Sequence, residues 1–518
     1  MPEPNEGDAR LAPWATKVVK ESGISVAGSV FGNALNYVLL LILTRFLAPE
    51  EFGLFALAQS AVAVAIIFVL LGTPRALNRF VPYYLAQGSP GKAKAAIVGV
   101  VGLTSTLALV MAVLVAFLAS RLAETVFRSP ELAPVLRRMA FSIPLLGLAE
   151  VVTYAFAGLK ELRYRVYTHQ IAMPALKTSL ALVAFSLGGG LIGWVHAYLA
   201  ALVLVAALAG GLLVKRLWTR FRGVRTGRPP VREIMSYSWP LTIQNLVLVT
   251  ASQASILLLG RYRPASEAGV YRVYVYVLLV IVFLVDSFGQ IYKPMASEYI
   301  AKRDDVNTRS LYERVGKWRL LGGSIIAIGV MILGGDFIRA FLPSSYHTAV
   351  GALVILAGVR LVVLSLGPQG AALEAFGHTR LCLLNAVAML AGTAGLGFLL
   401  IPRYGVYGAA VAAGSGSLIA GIVGLLEVLK LHGLHPFRAG YWRVAASAAV
   451  AGGVTLALRS IVLGDRPWGL AVAAAVLVAT YLVALRFLRA LDEQDRYVIR
   501  RVRARLRPGA GRTDPQSP

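Results

Sequence analysis

The sequence predicts an all-α, polytopic membrane protein with about fourteen transmembrane helices: two pseudo-symmetric six-helix bundles followed by two further C-terminal helices. Three observations carry this prediction. Hydrophobic residues make up 57% of the 518 residues and charged residues only 15%, whereas an ordinary soluble domain has about 25% charged residues. The basic residues are concentrated in alternate loops between apolar stretches. A segment of the first half also recurs in the second half, about 216 residues later.

Each apolar stretch is long enough to cross a bilayer, because a hydrocarbon core of ~30 Å needs about 20 residues of helix. Gly and Pro mark the joints between the stretches. The predicted spans of the first half are 24–47, 52–73, 93–119, 138–158, 169–188 and 191–214. Those of the second half are 234–260, 267–291, 318–341, 349–374, 380–401 and 405–429, and the last two are 441–463 and 467–488.

The loop charges predict the orientation. All of the long basic loops lie on one side of the membrane, and that side is the cytoplasm by the positive-inside rule. Because the number of spans is even, both termini are expected to be cytoplasmic, in a multi-pass protein of the cell inner (cytoplasmic) membrane. The predicted domains are the N-tail 1–23, the bundle 24–214, the basic linker 215–233, the bundle 234–429, the extra helices 430–488 and the basic tail 489–518.

The internal repeat consists of two motifs. The run 43–55 matches 259–271 at an offset of 216, which aligns Glu51 with Glu267 and Gly53 with Gly269. The run 190–193 matches 405–408 at an offset of 215. Two matched halves with several spans each are typical of transporters whose substrate path lies between the halves.

Three stretches, 43–58, 71–79 and 401–410, resemble the polysaccharide (O-antigen/exopolysaccharide) flippase family of the multidrug/oligosaccharidyl-lipid/polysaccharide exporter superfamily. The resemblance covers roughly residues 20–500. It implies alternating access and the translocation of a polyprenyl-pyrophosphate-linked oligosaccharide for lipopolysaccharide or exopolysaccharide biosynthesis. The implied partners are this oligosaccharide, membrane lipids, and a polymerase or glycosyltransferase. The two extra helices are similar to those of the lipid II flippase branch, where they form a lipid-facing groove.

A pyrophosphate carries negative charge that cannot cross hydrocarbon unaided, so its carrier needs basic residues inside the membrane. Lys177, Arg272 and Arg360 are the basic residues well inside the spans. Arg360 has no acid at matching depth on a neighbouring span, so a ligand contact and an internal structural ion pair are both open for it. Arg272 lies near the outer end of its span, where it could instead reach the interface beside tyrosines.

Other polar residues have two interpretations each. Glu150 and Lys177 lie at similar depth and are expected to form a structural pair, whereas Glu150 and Asp286 are also candidates for ion coupling. Arg261 is expected to pair with Glu267 outside the membrane. Three amides and one arginine complete the predicted substrate contacts: Asn36, Gln244, Asn245 and, at the cytoplasmic mouth, Arg79.

The sequence argues against several other functions. HExxH, GxxxxGK[ST] and Ser/His/Asp patterns are absent from it, so no enzyme activity is expected. The single cysteine, Cys382, excludes a disulfide framework, and neither a metal nor a cofactor is expected. The net charge of +26 reports orientation, and nucleic acid is not an expected partner. The alternatives are an ion-coupled multidrug exporter of the same superfamily and a membrane glycosyltransferase or polymerase.

Overall fold

The computed structural model describes residues 28–161, 163–460, 468–492 and 495, and every regular element in these ranges is a helix. The first helices are α1 (Gly28–Phe46), α2 (Pro49–Leu70), α3 (Thr73–Ala86), α4 (Pro90–Arg121), α5 (Leu132–Met139), α6 (Ser142–Gly158), the single turn α7 (Arg163–Arg165), α8 (Met173–Ser186) and α9 (Gly190–Arg220). They are followed by α10 (Val231–Tyr262), α11 (Ala265–Ala301), α12 (Asp305–Phe341), α13 (Val350–Ser365), α14 (Gln369–Ala375), α15 (Thr379–His432), α16 (Ala439–Leu458) and α17 (Gly469–Phe487).

The helical membrane fold predicted from the sequence is confirmed. Among the described residues, 10 helices are long and apolar enough to cross a membrane, or 11 if the bent pair α13 and α14 forms one span. Helix α15 is a run of 54 residues with a non-helical break at Gly405, where two predicted spans meet. The count of fourteen spans stays a prediction. The N-tail, and the basic tail apart from 489–492 and Asp495, lie outside the described residues.

The helices group into two units, and the first contains the described residues up to Tyr276 together with Phe341–Ala352 and Ala386–Gly416. Its apolar core lies where α3, α4, α6 and α9 pack together. Fully buried members of this core are Leu77, Val81, Ile97, Val151, Val152 and Phe156.

The second unit contains Val277–Ala340, Leu353–Asn385 and the described residues from Ser417 onwards. In it α16 and α17 pack on α12, through a core that contains Leu320, Val444, Leu477 and Tyr481. The Tyr481 hydroxyl donates to the carbonyl of Leu321 at 2.9 Å, which joins α17 to α12. At the start of α12, the side-chain amide and backbone N–H of Asn307 donate to Asp304, and these hydrogen bonds hold the pKa of the Asp304 carboxyl below its ordinary value.

The first repeated motif forms a reciprocal helix crossing. In one copy Pro49 begins α2, and in the other Ala265 begins α11. A Cβ atom on Gly53 would lie 1.8 Å from the carbonyl oxygen of Ala265, and one on Gly269 would lie 2.0 Å from that of Pro49. The matched glycines therefore let the two helix starts approach each other backbone to backbone.

The second repeated motif lies beside the first in each copy. Gly190 and Gly405 both have φ of 52°, a conformation that favours glycine. The carboxylate of Glu267 accepts a hydrogen bond from the N–H of Val406 at 3.1 Å, next to Gly405. In the other copy, a Cβ on Gly190 would lie 4.0 Å from a carboxylate oxygen of Glu51. The repeat seen in the sequence is thus also a repeat of local structure.

One predicted ion pair near this motif is wrong. Glu267 pairs with Arg263 at 2.8 Å, whereas Arg261 donates to the carbonyl oxygens of Thr125 and Val126 at 2.6 and 2.9 Å. Arg263 is the extended residue that follows α10, and Glu267 lies in the first turn of α11, so this pair bridges the short turn between the two helices.

Substituting Gly269 with Ala is expected to destabilise the protein by about 1–3 kcal/mol, because the added methyl group overlaps a backbone atom that cannot rotate away. The midpoint of thermal unfolding in detergent measures this effect. Gly102→Ala is the matched control, since Gly102 lies inside α4 and a methyl group added to it would have nothing within 4 Å. An equal midpoint for the two variants would contradict the close crossing.

Candidate functional site

A polar cluster surrounds Arg272, which lies on α11 three residues after the crossing glycine. One terminal nitrogen of Arg272 donates to the hydroxyl of Ser60 at 2.5 Å, to the side-chain oxygen of Gln253 at 3.2 Å and to the carbonyl of Ala56 at 3.4 Å. The guanidinium carbon lies 5.9 Å from the ring centroid of Tyr276. Nε of Arg272 is buried and hydrogen-bonds to none of the described residues. These contacts therefore orient the guanidinium of Arg272, and its Nε–H group remains able to donate a hydrogen bond to a ligand.

A cavity of about 270 Å³ lies beside this arginine. It is lined by Gln59, Val62, Ala63, Met139, Leu146, Tyr198, Gln253 and Arg272. Gln59 is itself held in place, because the Tyr276 hydroxyl donates to its side-chain oxygen at 3.3 Å. One cation, two amides and a phenol facing an apolar wall can bind an anion that carries hydroxyl groups. Arg272, one of the three predicted basic residues, therefore lines a cavity of this kind.

The structure brings two further predicted residues together. The ammonium group of Lys177 on α8 lies 3.4 Å from the side-chain oxygen of Asn36 on α1, so lysine donates to the amide. The predicted pair of Lys177 with Glu150 is wrong, since no ion pair joins them among the described residues. Their predicted depths agree, but the side chain of Lys177 reaches Asn36 on α1.

A histidine that the sequence did not single out lies between these charged groups. His169 belongs to the π-helical turn Val166–Ala172, which leads into α8. It hydrogen-bonds to the backbone of Ala149, and its charged neighbours are Glu150, Arg165 and Lys177. Its Nε2 is buried without a partner among the described residues. A titratable ring at the inner start of a predicted span is the signal that would have identified it.

The remaining predicted site residues occupy separate positions. Arg79 on α3 is exposed, and its guanidinium lies 4.6 Å from the ring centroid of Tyr237. Gln244 and Asn245 are half-buried on α10. Arg360 is exposed on α13, in the second unit. Asp286 belongs to α11, in a stretch whose side chains lie outside the described residues.

Residues 18–300 match the family model described as "Polysaccharide biosynthesis protein". The chain belongs to this family. A curated relative is the stage V sporulation protein B of Bacillus subtilis (strain 168), which is 22% identical over 438 residues, or 80% of this chain and 84% of that protein.

The fold of this chain is similar to that of two solved transport proteins. A structure of the lipid II flippase MurJ in an inward closed conformation matches 90% of this chain and 98% of its own, with a TM-score of 0.73 and 14% identity. An inward-facing multidrug resistance MATE transporter of the MOP superfamily matches 79% of this chain and 98% of its own, with a TM-score of 0.65 and 14% identity. Both likenesses, at 14% identity, bear on the fold, and they agree with the helical membrane fold predicted from the sequence.

Proposed function

We propose that this protein is a flippase that carries a polyprenyl-pyrophosphate-linked oligosaccharide across the cytoplasmic membrane by alternating access. The observation that supports this proposal best is the oriented guanidinium of Arg272 beside a polar cavity inside a membrane domain. A charged residue at such depth is costly unless it serves a buried ligand or an ion pair. Arg272 donates to a hydroxyl, an amide and a backbone carbonyl, which are all uncharged, so its charge is available to an anion.

In this proposal Arg272 binds the pyrophosphate, because a guanidinium can make two parallel charge-assisted hydrogen bonds to phosphate oxygens. Gln59, Gln253 and Tyr198 offer donors and acceptors to the hydroxyls of the adjoining sugar. A cavity of about 270 Å³ holds this head of the ligand only, which leaves the polyprenyl chain outside it.

The other candidates are assigned to earlier and later steps of the same path. We assign Arg79 to the cytoplasmic mouth, and Lys177 with Asn36, Gln244, Asn245 and Arg360 to further substrate contacts. Glu150 and Asp286 remain candidates for ion coupling. The buried imidazole beside Glu150 adds His169 to that set, because histidine exchanges protons near neutral pH.

An ion-coupled multidrug exporter is the second candidate, and the fold shared with a multidrug resistance MATE transporter is the observation that favours it. The two candidates differ in the charge that they handle. An exporter of cationic drugs needs an acidic cavity, whereas the cavity described above contains an arginine and none of its lining residues is acidic. This composition favours the anionic, lipid-linked substrate.

Reconstitution tests the function directly. Purified protein is placed in proteoliposomes with a fluorescent polyprenyl-pyrophosphate-linked sugar, and an impermeant reductant bleaches the label in the outer leaflet. We expect protein-dependent bleaching of the inner-leaflet pool, and no protein-dependent movement of ethidium in the same vesicles. Movement of ethidium without movement of the lipid-linked sugar would support the exporter and exclude the flippase.

The topology on which this proposal rests has its own test. Single cysteines replace Arg222 and Ser344 in a Cys382→Ala background, since both positions are exposed. An impermeant maleimide applied to intact spheroplasts should label Ser344→Cys only, because 215–233 is expected to be cytoplasmic and 342–348 external. Permeabilised cells should show both sites labelled. Labelling of Arg222→Cys in intact cells would overturn the orientation.

A further inference from the structure

A second cavity of about 450 Å³ lies in the first unit, at the ends of the repeated motifs. It is lined by Pro49, Arg263, Ser266, Glu267, Val270, Ser345, Thr348, Ala349, Tyr404, Val406 and Tyr407. Tyr404 and Tyr407 line this space and also reach the surface, with 61% of Tyr404 and 44% of Tyr407 exposed. In the proposed topology the loop segments that line the cavity lie on the outer side of the membrane.

The walls of this cavity are held firmly. Gly405 breaks α15 with φ of 52° and ψ of −124°, and Glu267 accepts a hydrogen bond from the N–H of the next residue, Val406. Next to the lining residues Ser345 and Thr348, the hydroxyl of Tyr346 donates to the carbonyl of Leu47 at 2.9 Å, and that of Tyr274 donates to the carbonyl of Tyr346 at 3.1 Å. These contacts hold in place the chain segments that line the cavity.

The two repeats share the residues that form the turn beside the cavity, but they differ in the residues that line the cavity. Both repeats contain the glutamate and the positive-φ glycine that shape the turn. At an offset of 216, Arg263 aligns with Leu47, and at an offset of 215, Tyr404 and Tyr407 align with Gly189 and Ile192. The first repeat forms its turn without an arginine or tyrosines at these positions. The polar and aromatic lining of the second repeat is therefore not required by the fold.

The charge of the cavity favours a neutral ligand over a phosphate. Nε of Arg263 lies 2.8 Å from the carboxylate of Glu267, so the two charges offset each other. What remains is a set of hydrogen-bonding groups, Ser266, Ser345 and Thr348 among them, together with two aromatic rings. Hydroxyls and a carboxylate bind sugar hydroxyls, and an exposed ring packs against the C–H face of a sugar. The volume lies within the range of small-molecule pockets and suits one or two sugar units.

We propose that this cavity is a saccharide-binding site on the outer face of the protein, which takes up the glycan of the lipid-linked substrate as it leaves the membrane. The proposal rests on the function and the topology proposed above. Tyr404 and Tyr407 pack on the sugar, and the Arg263–Glu267 pair and the hydroxyls bind its edges.

Saturation-transfer NMR with the full-length protein in nanodiscs tests this site. The probes are lactose, N,N′-diacetylchitobiose and methyl α-mannoside. We expect saturation transfer to at least one of them, and Tyr404→Ala with Tyr407→Ala should weaken its binding about tenfold or more, since each ring contributes to packing. Tyr83→Ala is the matched control, because Tyr83 is 50% exposed and does not line the cavity, and it should bind as the wild type does.

Sugar binding and flipping are measured separately, by NMR and by the proteoliposome assay, so the saccharide site and the flippase function can fail independently. Flipping of the lipid-linked sugar with no saturation transfer to any probe would overturn the site and leave the function intact. Equal transfer to the double tyrosine variant and to Tyr83→Ala would also overturn it. Sugar binding that depends on the tyrosines, in a protein that does not flip the lipid, would support the site and reject the function.

Discussion

Arg272→Ala is expected to lower the rate of flipping about 100-fold, equivalent to about 3 kcal/mol of lost interaction with the pyrophosphate. The reason is that a guanidinium makes charge-assisted hydrogen bonds to phosphate, which are about twice as strong as neutral ones. Arg272→Lys retains the charge but not the planar pair of donors, so it should retain part of the rate. Flipping of the fluorescent lipid-linked sugar in proteoliposomes measures both variants.

A structural role for Arg272 would give a different result. Its contacts to Ser60 and Gln253 contribute to packing, so each variant is also compared by its midpoint of thermal unfolding. Arg137→Ala is the control, because Arg137 likewise donates to a serine hydroxyl, that of Ser120, and does not line the cavity. Loss of flipping with an unchanged midpoint supports substrate binding. A normal rate in Arg272→Ala would remove this residue from the site.

The sequence predicted the features that depend only on position along the chain, namely the internal repeat and the basic residues inside the spans. A spacing of about 216 residues identified matched motifs, and the structure shows matched contacts at Gly53 and Gly269. Arg272 was a candidate because basic residues are rare within the spans. Its partners Ser60 and Gln253 were missed, as was Gln59 in the cavity wall, because all three are uncharged and uncharged polar residues in spans commonly serve helix packing.

Side-chain direction could not be predicted in the same way. The depths of Glu150 and Lys177 agree, but depth fixes only the position along the helix axis and not the face of the helix. A π-helical turn, Val166–Ala172, precedes α8 and changes the rotation of every residue that follows. Lys177 therefore contacts Asn36. The inserted turn also places His169 beside the acid that Lys177 was expected to meet.

The ion pairs of Lys317 in the second unit could not be predicted, because their partners are more than 170 residues away in the sequence. In the sequence, Lys317 is one of several basic residues in a predicted cytoplasmic loop, and Asp495 belongs to the predicted basic tail 489–518. In the structure both are buried, and the ammonium group of Lys317 pairs with the carboxylate of Asp495. Trp318 donates to the other oxygen of this carboxylate at 2.7 Å, and Asp492 lies 3.2 Å from Lys317.

Lys317→Met is expected to destabilise the protein by about 3–5 kcal/mol, because it leaves the buried carboxylate of Asp495 without its counter-charge. Asp495→Asn should cost less than Lys317→Met, because Asp492 still lies 3.2 Å from the ammonium group. The double variant should also cost less than Lys317→Met, since it leaves no buried charge without a partner. The midpoint of thermal unfolding in detergent ranks the three variants.

Lys302→Met is the matched control for this last prediction. Lys302 also pairs with an acid, Glu298, but both side chains are more than half exposed, so water solvates whichever partner remains. Its midpoint should stay close to that of the wild type. A double variant that unfolds at a lower temperature than both single variants would show that the pair does more than neutralise buried charge. A wild-type midpoint for Lys317→Met would show that the contacts of this lysine with Asp492 and Asp495 do not stabilise the protein.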